Sequence, residues 1–96
     1  MKVTDFISLQ AYFRSKNIFE EYGIDKIGVF GSLSRGEPFK DIDLMVDGEI
    51  SFKTLIRLQQ RLEADLQTHV DIVIKDLAEP IILHRAMKDM RYATGH

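Results

Sequence analysis

The chain has 96 residues, of which 45 % are apolar and 29 % charged, with a formal net charge of −2 and no cysteine. This is the length of a single domain over residues 1–96, held by packing without disulfides, and thiolate metal sites are excluded. The slight negative charge argues against direct nucleic-acid binding, and with no signal peptide or apolar run near the ~20 residues of a membrane span, a cytoplasmic location is expected.

The first predicted element is a helix over residues 4–22, with Phe6, Leu9 and Phe13 at helical spacing and Ile18 and Tyr22 as a second i,i+4 pair. The phase slips between Phe13 and Ile18, which puts a break at Asn17, and Gly23 suits the left-handed stop after the last turn. Residues 26–30 (KIGVF) read as a short buried strand, residues 31–40 as a Gly-, Ser- and Pro-rich turn region, and residues 41–46 (DIDLMV) as a second strand. Asp47-Gly48 makes a turn. Ser51 is the N-cap of a helix to about Gln67, with Leu55, Leu58, Leu62 and Leu66 on its buried face. Residues 70–74 (VDIVI) form a third strand. Asp76 and Glu79 make a capping box for a last helix to about Asp89, with an apolar face of Ile82, Leu83, Ala86, Met87 and Met90. The order helix, strand, strand, helix, strand, helix predicts an α/β (α+β) fold, a small mixed sheet packed with helices.

Three carboxylates stand in strands that otherwise read as core. Asp41 and Asp43 are two apart, so their side chains leave one face of a strand with Cα atoms about 6.6 Å apart. Carboxylates so placed can converge on a two-metal site, whose ions lie about 3.5–4 Å apart. Asp71, between Val70 and Ile72, can complete it from a neighbouring strand. Three crowded negative charges repel and titrate together, and divalent cations resolve that conflict. With no histidine or cysteine in the set, Mg²⁺ or Mn²⁺ is favoured over zinc. The same two aspartates also suit the solvent face of an edge strand. Upstream, Gly31-Ser32 ends a buried strand: glycine lets the backbone approach a ligand, successive amides can cradle phosphate oxygens, and the hydroxyl adds a hydrogen bond. An ordinary strand-ending turn has the same composition.

In combination, Phe30-Gly31-Ser32-Leu33-Ser34-Arg35-Gly36-Glu37, Asp41-Ile42-Asp43-Leu44 and Val70-Asp71-Ile72-Val73 resemble the signature of the minimal nucleotidyltransferases of the polymerase-β superfamily. The resemblance covers residues 9–92 and implies the polymerase-β-like nucleotidyltransferase fold. It implies that Gly31 and Ser32 hold the β and γ phosphates of ATP, and that Asp41 and Asp43 ligate two Mg²⁺ (or Mn²⁺) ions. Asp71 would be the third catalytic and metal-binding carboxylate. The activity implied is in-line transfer of AMP from ATP to an acceptor hydroxyl. Eight residues, 33–40, separate Ser32 from Asp41, fewer than is usual in the family, so the contacts of this loop to the triphosphate are an open point.

Arg35 reads equally as a triphosphate contact or a structural ion-pair partner. Glu37 reads as a loop cap or ion pair, His69 as a surface histidine in a turn, and Arg57 and Arg61 as a solvated helix face. Larger relatives carry a second domain for nucleobase and acceptor contacts, so a partner is expected to supply that surface. Small relatives pair with a HEPN-domain protein in toxin–antitoxin modules, where the transferase is the antitoxin and modifies a tyrosine of the HEPN ribonuclease. The alternatives are a non-enzymatic antitoxin of the same fold and a small-molecule transferase of the aminoglycoside-modifying kind. The apolar residues Phe6 and Ile7, Phe52 and Ile56, and Ile81, Ile82 and Leu83 exceed what one face can bury, which predicts a protein interface or self-association.

Overall fold

The structure, a computed structural model, describes residues 2–48 and 50–95. Its elements are α1 (Phe6–Ser15), α2 (Ile18–Tyr22), β1 (Lys26–Phe30), β2 (Asp41–Val46), α3 (Phe52–Leu66), β3 (His69–Ile74), a 3₁₀ turn (Lys75–Leu77), α4 (Pro80–Asp89) and β4 (Arg91–Thr94). The four strands make one mixed sheet in the order β3-β2-β1-β4, in which β2 and β3 run parallel and the other pairs antiparallel. The parallel pair needs a crossover, and α3 provides it.

The predicted long first helix is two helices. Asp5 caps α1, accepting from the Ser8 amide at 2.8 Å while Ser8 Oγ accepts from the Asp5 amide at 3.1 Å. The break falls at Asn17, which takes a left-handed conformation (φ 58°), and α2 stops at Gly23 as the sequence predicts. Ser51 caps α3 through the Thr54 amide at 3.1 Å, and Leu55, Leu58, Leu62 and Leu66 are buried. The capping box predicted at Asp76 and Glu79 does not form. Asp76 lies in the 3₁₀ turn, and Glu79 precedes α4 without a side-chain bond. Pro80 starts that helix instead, with its φ preset and no amide to satisfy.

The sheet has two unlike faces. Ile27 and Val29 of β1, Ile42, Leu44 and Val46 of β2, Val70 of β3 and Ala93 of β4 point into the main core with α1, α2 and α3. The opposite face carries Gly28 and Phe30, Asp41, Asp43 and Met45, and His69 and Asp71, by simple alternation along each strand. The helix α4 covers part of it. A Cβ on Gly28 would lie 2.5 Å from Met90 Sδ, so the glycine lets the end of α4 settle on the sheet. The predicted apolar face of α4 is therefore mostly uncovered: Ala86 is buried, Leu83 and Met90 are half-buried, and Ile82 and Met87 are exposed.

The fourth strand was not among the predicted elements. Four residues give little periodicity, and β4 is defined by pairing with β1 some sixty residues earlier. Side chains from α1 occupy its outer edge: the Thr94 amide donates to Gln10 Oε1 at 3.1 Å, and Arg14 Nε donates to the Thr94 carbonyl at 2.8 Å. An otherwise open edge is thereby used. Among the described residues no helix is long and apolar enough to cross a membrane.

Arg61 is not simply solvated. Its Nε lies 3.0 Å from Asp65, and its Nη1 contacts Glu21 of α2. Asp65 also accepts from the hydroxyl of buried Tyr12 at 2.6 Å, which ties α1 to α3. That hydroxyl, followed by Arg61, holds the Asp65 carboxyl below its ordinary pKa. A depressed folded pKa adds stability that is complete above the unfolded value of about 3.9 and is lost as pH falls through the folded one. Tyr12→Phe should therefore cost about 1–2 kcal/mol near pH 7. Urea titrations should find that this loss shrinks as pH falls below the unfolded value of about 3.9 and on through the depressed folded one.

Candidate active site

Register places the candidate residues. Across the parallel pair Asp41 faces His69 and Asp43 faces Asp71, so these four positions form a two-by-two patch on the face away from the core. Across the antiparallel pair Phe30 faces Asp43, which sets the turn after β1 beside the patch. Gly31 has φ 79°, and a Cβ there would lie 2.5 Å from Asp43 Oδ2. Both conditions restrict the position to glycine. Gly31→Ala should displace the Asp43 carboxylate and cost about 1–3 kcal/mol, measured by thermal melting.

The turn itself is firmly held. The Arg35 amide donates to Gly31 and Ser32 carbonyls, and the Glu37 amide donates to Ser32 O at 3.0 Å. The amides of Ser32, Leu33 and Ser34 take no acceptor among the described residues. Three successive free donors at a turn make a nest of the kind that receives phosphate oxygens. The loop over residues 33–40 is no slack segment: Leu33 is buried in the main core, and Ser34 Oγ donates to the carbonyl of Asp89 at the end of α4.

Arg35 joins this anchoring. Its guanidinium lies 2.8 Å from Asp89, 3.0 Å from Glu37 and 3.3 Å from Ser32 Oγ. Glu37 is thus an ion-pair partner, as its loop position suggested. The sequence does not single out Arg85. It lines, with Phe30, Gly31, Arg35, Asp43, Ile82, Ala86 and Asp89, a cleft of about 270 Å³. Arg85 has no ion-pair partner among the described residues, and no local pattern distinguishes it on an exposed helix.

His69 does not sit in a turn. It begins β3, with Nε2 2.9 Å from Asp71 Oδ1 and Nδ1 2.9 Å from Glu63 Oε2 of α3. The Asp71 charge, with Glu63 and Asp41 adding to it, holds the imidazole above its ordinary pKa. Asp43 is also shifted upward, first by partial burial and then by Asp71 and Asp41.

Among the described residues no three His, Asp or Glu side chains are gathered as a metal site. The three aspartates share a face, and Asp71 engages His69. The chemistry of the set nevertheless suits a hard divalent cation: the donors are carboxylate oxygens, and Asp43 carries an ionisation penalty that a cation would relieve.

The family "Polymerase beta, Nucleotidyltransferase" matches residues 14–92, and the chain belongs to it as a minimal nucleotidyltransferase. It is 37 % identical over 81 residues to the protein adenylyltransferase MntA of Thermococcus cleftensis, covering 80 % of this chain and 82 % of that one. A crystal structure of a toxin–antitoxin with AMP-PNP matches with a TM-score of 0.69 at 21 % identity, over 86 % of this chain and 72 % of that chain. A tri-AMPylated Shewanella oneidensis HEPN toxin in complex with MNT antitoxin matches with a TM-score of 0.65 at 22 % identity, over 91 % and 73 % of the two chains. At these identities the solved structures establish the shared fold, and the family match establishes nucleotidyl transfer.

The raised pKa of Asp43 has a sign. A carboxyl whose folded pKa exceeds its unfolded value of about 3.9 destabilises the fold as pH rises past that value. In metal-free buffer near pH 7, Asp43→Asn should melt at or above the wild-type temperature, and the difference should vanish below about pH 4. A markedly lower melting temperature at neutral pH would mark Asp43 as a satisfied structural group.

Proposed function

We propose that this chain, acting as a single domain over residues 1–96, transfers AMP from ATP to a tyrosine hydroxyl of a HEPN-type partner and so serves as an antitoxin. The observation that carries the reading is the meeting of Asp41, Asp43 and Asp71 on one sheet face with the free amides of the Gly31-Ser32 turn. The acceptor assignment rests on the adenylyltransferase relative and the AMPylated HEPN complex.

In this reading the amides of Ser32, Leu33 and Ser34 take the terminal phosphates, and Ser32 Oγ adds a further donor. Asp41, Asp43 and Asp71 would hold two Mg²⁺ or Mn²⁺ ions, whose chemistry there would be charge neutralisation at the phosphates and activation of the acceptor hydroxyl. The protein's own part is positioning: the nest fixes the triphosphate, and Asp71 waits on the neighbouring strand for the acceptor. Arg35 holds the turn to α4, and Arg85 is the cation placed to meet the nucleotide across the cleft. The partner's docking surface is the exposed apolar side of α4 and the turn before it, with Leu77, Ile81, Ile82 and Met87. An ATP-fed reaction of this kind belongs in the cytoplasm.

Incubation with ATP, Mg²⁺ and a co-encoded HEPN protein should add one or more AMP units to a partner tyrosine, read by mass spectrometry. The addition should disappear with EDTA and in Asp41→Ala. Modification of a small molecule alone would overturn the acceptor, and transfer undiminished by chelation would overturn the metal assignment.

A further inference from the structure

Glu63 uses one oxygen for two purposes. Oε2 accepts from the Val70 amide at 2.9 Å and lies 2.9 Å from His69 Nδ1. The first bond ties the end of α3 to the start of β3, and the second fixes the orientation of the imidazole. The other ring nitrogen then reaches Asp71 Oδ1 at 2.9 Å. Asp71 Oδ2 has no partner among the described residues. The contact restricts the rotation of the Asp71 carboxylate and leaves its second oxygen open. Outer partners commonly orient the carboxylates of metal and phosphoryl-transfer sites in this manner. The chain runs from a helix on the core side, around the strand, to the reactive face.

We propose that His69, braced by Glu63, is a positioning residue that sets the side-chain rotamer of Asp71 for nucleotidyl transfer. The inference rests on the function proposed above for its kinetic consequence, but not for its structural one. His69 touches neither nucleotide nor acceptor; it acts through Asp71. Among the described residues the remaining carboxylates of the patch, Asp41 and Asp43, have no such brace: Asp43 lies half-buried beside Gly31, and Asp41 is exposed at the strand end. Asp71 is likewise exposed, on β3, and takes its orientation from the histidine rather than from packing.

Two variants separate positioning from structure. His69→Phe keeps a ring and removes both nitrogens; His69→Gln keeps an amide donor where Nε2 stood. Three-bond NMR couplings in the metal-free protein should show one Asp71 χ1 rotamer in the wild type and in His69→Gln, and rotamer averaging in His69→Phe. In the transfer assay with the partner, His69→Phe should lose about 10- to 100-fold in kcat while KM for ATP stays within about twofold. His69→Gln should recover most of that loss. A single Asp71 rotamer in His69→Phe would overturn the proposal, and so would equal loss of kcat in both variants. If the wild type modifies no partner at all, the proposed function fails, and the Asp71 couplings still decide the role of His69.

Discussion

The structure depends on the alternation along β2. Ile42, Leu44 and Val46 enter the core while Asp41 and Asp43 leave the other face of the same six residues. Burying each of those apolar side chains contributes roughly 1.5–3 kcal/mol, an upper estimate that still exceeds the repulsion among half-exposed carboxylates. Apolar burial therefore determines the orientation of the strand, and the aspartates follow. A slip of one residue against β1 or β3 would drive both aspartates into the core. The register that secures the core is the same register that sets Asp43 beside Asp71 and Phe30, so folding and site assembly are one event.

A second constraint fixes what faces the patch. Leu33 drops into the main core, Ser34 and Arg35 bind Asp89, and Gly28 admits Met90 onto the sheet. These contacts join the turn after β1 to the far end of α4, two segments some fifty residues apart. Arg35, the basic residue nearest in sequence to the Gly31-Ser32 turn, becomes a brace between them. The brace leaves the turn amides unencumbered and brings Arg85 to the cleft wall. The loop over residues 33–40 thus gains its order from tertiary contacts, in keeping with the benefit of preorganisation.

Local pattern made much of this legible. The leucine stripe of α3, the break at Asn17, the Ser51 cap and the strands carrying Asp41, Asp43 and Asp71 all follow from spacing within a few residues. The elements that escaped notice depend on distant partners. β4 is four residues whose identity comes from β1 and from Gln10 and Arg14. His69 reads as a turn residue because it stands at the strand's first position; its contacts appear only when the strand is formed with Asp71 on the same face and Glu63 of α3 beside it. Arg61 lies on an outer helix face, yet Glu21 of a separate helix is folded against that face. The capping box at Asp76 and Glu79 had the right composition, but the chain spends Asp76 in a 3₁₀ turn before Pro80 opens the helix.

The attachment of α4 gives the exposed apolar residues a meaning within the proposed function. The helix is held at its C-terminal end, through Asp89 and Met90, while Ile81 and Ile82 at its start remain in solvent. Ile82 also lines the cleft that Gly31, Asp43 and Arg85 share. Any partner that covers Ile82 must therefore cover the edge of the cleft as well. Excluding water there strengthens each interaction between the phosphates and the groups around them, because the effective dielectric falls. In the free protein the cleft is open to solvent and the carboxylates are partly hydrated. In the proposed function, docking over Ile82 would thus couple partner binding to the state of the site through one side chain.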